Sequence, residues 1–218
     1  MQIAGYSFDA LERQLYSAVI ADILDDLGYR RQTLGPGLKL LDARSKICGR
    51  AFTAQAMKVF SVPPRPYQLQ IKATDSVSPG EVFVVTTGDG EAAFWGELLA
   101  TACRARGGRG AVIDGLNRDT AKILEMGFPT ASRGQVPTDS KGRLDLVAYQ
   151  IPIEIDGVRI CPGDFIFGDI DGIAVVPQAV EEEVILKALQ KVSGENEVRE
   201  ALKNGMLCEE AFRKYGIL

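Results

Sequence analysis

Residues Gly107–Gly134, GGRGAVIDGLNRDTAKILEMGFPTASRG, constrain the fold more than any other stretch. An apolar run, Ala111-Val112-Ile113, halts at Asp114-Gly115, and a helical pattern begins just past Arg118-Asp119. A buried strand that empties into a helix start predicts an α/β sheet. In open α/β sheets, ligands bind at the carboxyl ends of strands, against helix N-termini. An arginine there can clamp a carboxylate bidentately, and an aspartate can hold a hard divalent ion through oxygen. The same two residues also read as a surface ion pair, with Asp119 in a first helical turn where its charge suits the dipole.

The chain has no histidine. This excludes Ser-His-Asp and Cys-His catalysis and any His-ligated zinc. Cys48, Cys103, Cys161 and Cys208 lie far apart with no CxxC, and read as reduced thiols buried as small hydrophobes. Any metal is then a hard ion on carboxylates and water, such as Mg²⁺, Mn²⁺ or Ca²⁺. Acid–base work falls to Asp, Glu, Lys, Tyr, Cys or a water activated by the ion. A net charge of -4 argues against a nucleic-acid footprint. With no basic-then-apolar leader and no run of about 18 apolar residues, the expectation is a cytoplasmic protein without a membrane partner.

The 218 residues suffice for one sizeable core, and the chain reads as a single unit in three parts. Residues 1–34 are an N-terminal helical segment, with Leu11, Leu15, Val19, Ile23 and Leu27 recurring every fourth residue to Gly28. Residues 35–178 form an α/β core. Strands are expected at 51–57, 81–87, 110–113, 147–151, 165–167 and 173–176, and helices at 91–106 and 120–126. Residues 179–218 are charged C-terminal helices, broken at Ser193-Gly194 and Asn204-Gly205.

A second candidate site follows the strand at 81–87. Gly88-Asp89-Gly90-Glu91-Ala92-Ala93 fits GxGxxA, but Asp89 and Glu91 would set two negative charges where a pyrophosphate must approach. A Gly-rich turn before a helix accounts for it better. The helix beginning around Phe94-Trp95-Gly96-Glu97-Leu98-Leu99 offers free amides that suit a small carboxylate. Phe94, Trp95, Tyr67 and Arg65 are candidates for a distal pocket wall and equally for core or interface.

Twenty residues separate Glu97 from Arg118-Asp119. This acidic-x20-Arg-Asp pattern resembles the RraA-like family. Trp95–Ala100, Gly110–Gly115, Gly127-Phe128-Pro129, Pro162–Pro177 and the helix around Asp22–Gly28 are similar to it as well, so the resemblance spans nearly the whole chain. Glu stands at the acidic position, where Asp also occurs in the family.

The resemblance implies a swivelling α/β/β sandwich with added N- and C-terminal helices, assembled as a homotrimer or homohexamer with sites between subunits. It implies a class II pyruvate aldolase acting on 4-hydroxy-4-methyl-2-oxoglutarate or 4-carboxy-4-hydroxy-2-oxoadipate. Oxaloacetate decarboxylation passes through the same enolate. By the same resemblance, Asp119 is the direct ligand of Mg²⁺ or Mn²⁺, and Glu97 reaches the ion through water. Arg118 binds the keto acid and stabilises the enolate, and the backbone from Gly96 and Glu97 to Leu98 and Leu99 receives the substrate carboxylate. The other role known in the family is that of a non-catalytic inhibitor of an RNase E-type ribonuclease. A lysine Schiff base is the alternative aldolase chemistry, but Lys58, Lys72 and Lys122 lie in no context that supports it.

Overall fold

The computed structural model describes residues 2–217. A small hairpin, β1 (Gln2–Ile3) and β2 (Tyr6–Ser7), leads into helices α1 (Phe8–Gln14) and α2 (Ser17–Asp26). The sheet region follows with β3 (Lys39–Leu40), β4 (Ile47–Lys58), α3 (Gln68–Asp75), β5 (Glu81–Thr86) and β6 (Ala93–Trp95). Next come α4 (Glu97–Ala105), β7 (Gly110–Asn117), α5 (Thr120–Met126), β8 (Thr130–Gln135) and β9 (Leu144–Tyr149). The chain closes with β10 (Ile153–Ile155), β11 (Val158–Ile160), β12 (Phe165–Gly168), β13 (Ile173–Val176), α6 (Glu181–Lys203) and α7 (Cys208–Tyr215).

Nine strands make one sheet in the order β13-β12-β4-β5-β7-β8-β3, with β6 added against β7 and β9 against β4. The central pairs β4–β5, β5–β7 and β7–β8 are parallel, and β3, β9, β12 and β13 join antiparallel. Alternation along the strands builds two cores. Phe83, Val85, Ala111 and Ile113 face Ala100, Cys103 and Ile123 of the helical layer. Val82, Val84 and Val112 face Ile153, Ile155, Val158 and Ile160 of the β10–β11 hairpin. Helices on one side of the sheet and a hairpin on the other give the α/β/β layering. A third apolar cluster seats α1, α2 and α6 against Phe165, Phe167 and Val176.

Several expectations need correction. The N-terminal helix is two helices. Tyr16 is extended, and Asp169 accepts from the Ser17 amide at 2.7 Å and its hydroxyl at 2.6 Å, so a new helix starts there. The four-residue repeat survives the break, with Leu11, Leu15, Val19 and Ile23 all buried. Residues 91–96 are not helical: Ala92, Ala93, Phe94 and Trp95 are all buried, and β6 pairs with β7. Four consecutive buried side chains do not suit a helix with one wet face. The GxGxxA turn therefore feeds a strand, so it is neither a dinucleotide loop nor a turn before a helix. Helix α6 runs unbroken through Ser193-Gly194, where a Cβ at 194 would stand 2.6 Å from Ile217 Cδ1, so glycine serves close packing. The break at Asn204-Gly205 occurs as expected. Cys48 and Cys103 are buried, whereas Cys161 is half-buried and Cys208 exposed. Burial pushes the Cys48 and Cys103 thiols up to about 12.

No helix among the described residues is long and apolar enough to cross a membrane.

Candidate active site

β7 leaves the sheet at Asn117, and α5 begins at Thr120, so Arg118 and Asp119 occupy a two-residue junction. Asn117 is fully buried and fixes this junction. Its Nδ2 donates to Thr120 Oγ1 at 2.9 Å, and its Oδ1 accepts from Ser132 at 2.7 Å. The Arg118 amide donates to Trp95 O at 2.9 Å, which ties the junction to β6. Asp119 adopts φ 56°, ψ 30°, a left-handed conformation. That conformation costs a non-glycine residue about 1 kcal/mol and is a mark of constrained sites.

Asp119 precedes α5, yet its side chain makes no capping bond to that helix. Its Oδ2 instead accepts from the Glu97 amide at 3.3 Å, at the N-terminus of α4. Arg118 Nε lies 3.8 Å from the same oxygen. Gly96 makes room for this arrangement. A Cβ there would stand 2.9 Å from Asp119 Oδ2 and 3.3 Å from Arg118 Cγ. The helix-capping reading of Asp119 therefore gives way to one in which its carboxylate turns toward a neighbouring helix start.

A pocket of about 300 Å³ opens beside this junction. Gly96, Leu98, Leu99, Arg118 and Asp119 line it, as do Tyr67, Phe94 and Trp95. Glu97 is placed differently. Its amide meets Asp119, but its carboxylate accepts from Thr101 Oγ1 at 3.1 Å, and the side chain borders an adjacent groove with Lys122 and Met126. Arg65 borders another groove, with Lys72 and Asp145.

Among the lining residues that sequence reading did not place at the site, Asp139 and Gln70 make polar contacts that shape it. Asp139 lies in a loop that the Ala93 amide holds by donating to Thr138 O at 2.9 Å. Its Oδ1 stands 3.3 Å from Arg118 Nη2, and the Tyr67 hydroxyl donates to its Oδ2. Burial raises the Asp139 carboxyl, but the Tyr67 hydroxyl, Arg118 and the Lys141 and Ser140 amides outweigh it and hold it below the usual carboxylate range. Burial first, then the bond to Asp139, pushes Tyr67 up to about 12, so it remains a donor. Gln70, on α3, is the other addition, with Nε2 donating to Phe94 O at 2.8 Å. No sequence signal marks Asp139, twenty residues past Asp119 in an irregular loop.

Among the described residues no cluster of three or more Asp, Glu, Cys or His stands ready to enclose a metal. Asp119 still fits a hard divalent ion. Its carboxylate is partly exposed at the pocket, with a glycine opposite. Mg²⁺ in particular binds through one or two carboxylates and keeps several waters.

Residues 17–175 match the family described as RraA-like, Aldolase/RraA, and the chain belongs to that family. A Halalkalibacterium halodurans protein that bears the provisional name 4-hydroxy-4-methyl-2-oxoglutarate aldolase is 30% identical over 213 residues, covering 97% of this chain and 96% of its own. The 4-hydroxy-4-methyl-2-oxoglutarate aldolase of Thermus thermophilus is 28% identical over 160 residues, covering 71% of this chain and 90% of its own. Among solved structures, Streptomyces coelicolor RraAS2, described as an unusual member of the RNase ES inhibitor RraA family, superimposes with a TM-score of 0.79. It is 30% identical, with 91% of this chain and 99% of that chain covered.

Proposed function

We propose that this chain is a divalent-metal-dependent aldolase that cleaves a 4-hydroxy-2-keto acid and releases pyruvate. The observation that carries the reading is Asp119, held left-handed and turned away from its own helix toward the start of α4, beside Arg118 at a pocket. The names of the Halalkalibacterium and Thermus relatives support it. So does the lining of the pocket, which includes no lysine among the described residues and thus offers no Schiff base.

In this reading the amides of Leu98 and Leu99, in the first turn of α4, receive the substrate carboxylate. Asp119 would hold Mg²⁺ or Mn²⁺, which when bound would supply a Lewis acid to the keto acid. Arg118 places fixed positive charge where the enolate oxygen gains electrons, and needs no proton transfer to do so. Asp139 holds the Arg118 guanidinium in place. The Glu97 amide steadies the Asp119 carboxylate from the start of α4, and the Glu97 carboxylate, which accepts from Thr101 at the adjacent groove, would have to turn from it to order water around the ion. The same enolate route makes oxaloacetate a second substrate. The working form is a homotrimer or homohexamer in the cytoplasm, acting on a small keto acid rather than on nucleic acid or membrane.

The test is pyruvate release from a panel of 4-hydroxy-2-keto acids and oxaloacetate. Activity should vanish with EDTA and return with Mg²⁺ or Mn²⁺. Full activity after exhaustive chelation contradicts metal dependence. The likeness to RraAS2 favours a second reading, a regulator that binds an RNase E-type ribonuclease. That reading predicts no turnover on any member of the panel and inhibition of the ribonuclease instead.

A further inference from the structure

We infer that Gln70 is a positioning residue for the proposed reaction, holding the Arg118 main chain in place through the short strand β6. The inference rests on the aldolase reading and adds a residue to its machinery. Helix α3 turns a polar side chain inward: Gln70 is 5% exposed, whereas the next residue, Ile71, is 52% exposed. A glutamine buried where an aliphatic side chain would pack needs its amide bonded. Its Nε2 donates to Phe94 O at 2.8 Å, which joins the helix to β6.

β6 has little pairing of its own. Ala93 and Trp95 pair with Leu116 and Asn117 of β7 across a register shift, and Phe94 falls between them. Three further ties fix the strand. The Ala93 amide donates to Thr138 O at 2.9 Å, the Trp95 ring lies against Phe83 with centroids 5.1 Å apart, and Gln70 holds Phe94. The very next carbonyl, Trp95 O, receives the Arg118 amide at 2.9 Å. The peptide group that Gln70 grips is therefore adjacent to the one that seats Arg118.

Helix α3 thus holds Arg118 at both ends. Tyr67, its N-cap residue, donates to Asp139, whose Oδ1 meets the guanidinium at 3.3 Å. Gln70, one turn further on, holds the main-chain end through β6. Residues three apart lie on one helix face, so a single rigid element carries both ties. Both run within one chain and do not depend on what a neighbouring subunit adds. A guanidinium aimed at a developing oxyanion loses most of its effect when its backbone shifts by a fraction of its reach.

The experiment uses the full chain with Mg²⁺ or Mn²⁺ and the 4-hydroxy-2-keto acid that it cleaves fastest. Gln70→Met keeps the bulk and removes the donor, and Gln70→Leu repeats the test with another shape. Each folded variant should shift the emission maximum of Trp95, the chain's single tryptophan, and lower kcat at least about tenfold. In an Arg118→Lys background the same substitution should lower kcat by less than about threefold, because residues that act through one another are not additive. A role in stability alone would lower the melting temperature and leave the two losses additive. Unchanged emission overturns the route through β6. A kcat within about threefold of wild type in the folded variants, or the full loss repeated in the Arg118→Lys background, overturns the positioning role and leaves the aldolase reading standing. Unfolding of both variants does the same, since Gln70 is then a brace of the core. Pyruvate from no 4-hydroxy-2-keto acid overturns the aldolase reading, and this inference with it.

Discussion

Arg118 Nη2 stands 3.3 Å from Asp139 Oδ1, and Tyr67 donates its hydroxyl to the other oxygen of that carboxylate. Two side chains from separate segments thus set the direction of the Arg118 guanidinium. A planar fork stabilises a developing oxyanion only when it is aimed, so Asp139 and Tyr67 act on the site through Arg118.

Asp139→Asn keeps the shape and removes the charge. Turnover should fall about 10- to 100-fold, because a misaimed catalytic group costs on that order. Tyr67→Phe should cost less and show its effect in the pH profile. The Asp139 carboxyl is held below its ordinary value of 3.8, so its charge is present above that value and is lost as pH falls through the lower folded one. Removing the Tyr67 donor lets that folded value rise, so the acid limb of the profile should move to higher pH. An unmoved limb separates Asp139 from catalysis.

Gly96→Ala tests the approach of α4 to Asp119. The backbone at 96 is extended, so alanine is unstrained, but its Cβ would stand 2.9 Å from Asp119 Oδ2. The carboxylate must move. Metal affinity measured by calorimetry should fall about tenfold or more, with little change in melting temperature. Normal affinity would mean that Asp119 has room to spare.

The fold was largely legible because its strands are apolar runs with clear stops. Ile173–Val176 matches its expected bounds, and the α5 pattern ends at Gly127 in a left-handed C-cap. Where tertiary contacts decided, the pattern misled. Ala93–Trp95 reads as the lead-in to a helix but pairs with β7, and α3 hides because its buried face includes Gln70 and Thr74. The segments of Glu97 and of Arg118-Asp119 could be brought toward one cleft because both follow strands that could be neighbours, and the backbone role of Leu98 came with the family resemblance; the turn of the Glu97 carboxylate to Thr101 was not legible. Nor was Asp139: its position depends on a loop bond to Ala93 that no periodicity encodes.

Asp169 shows a purely structural carboxylate. It caps α2 through the Ser17 amide and hydroxyl and also accepts from the Asp171 amide at 3.0 Å. Asp169→Ala should lower stability by about 2 kcal/mol. The melting temperature should drop by about 4–8 °C with metal affinity retained. A large loss of metal affinity in the folded variant would tie this corner to the site.

Assembly is checked by light scattering at micromolar concentration. A trimer or hexamer is expected. A monomer with full activity would contradict shared sites between subunits.

In the proposed site Asp119 holds the metal and Arg118 the substrate, and one paired measurement separates the two roles. Calorimetric metal binding is followed alongside pyruvate release and melting for Asp119→Ala and Arg118→Lys. Asp119→Ala should lose metal affinity and turnover together. Arg118→Lys should bind metal nearly normally, yet lose about 10²–10³ in rate, because lysine keeps the charge without the planar fork. Both variants should melt near wild type. Wild-type metal affinity and turnover in Asp119→Ala would contradict the account, and unfolding of both variants would return Arg118-Asp119 to the role of a structural ion pair.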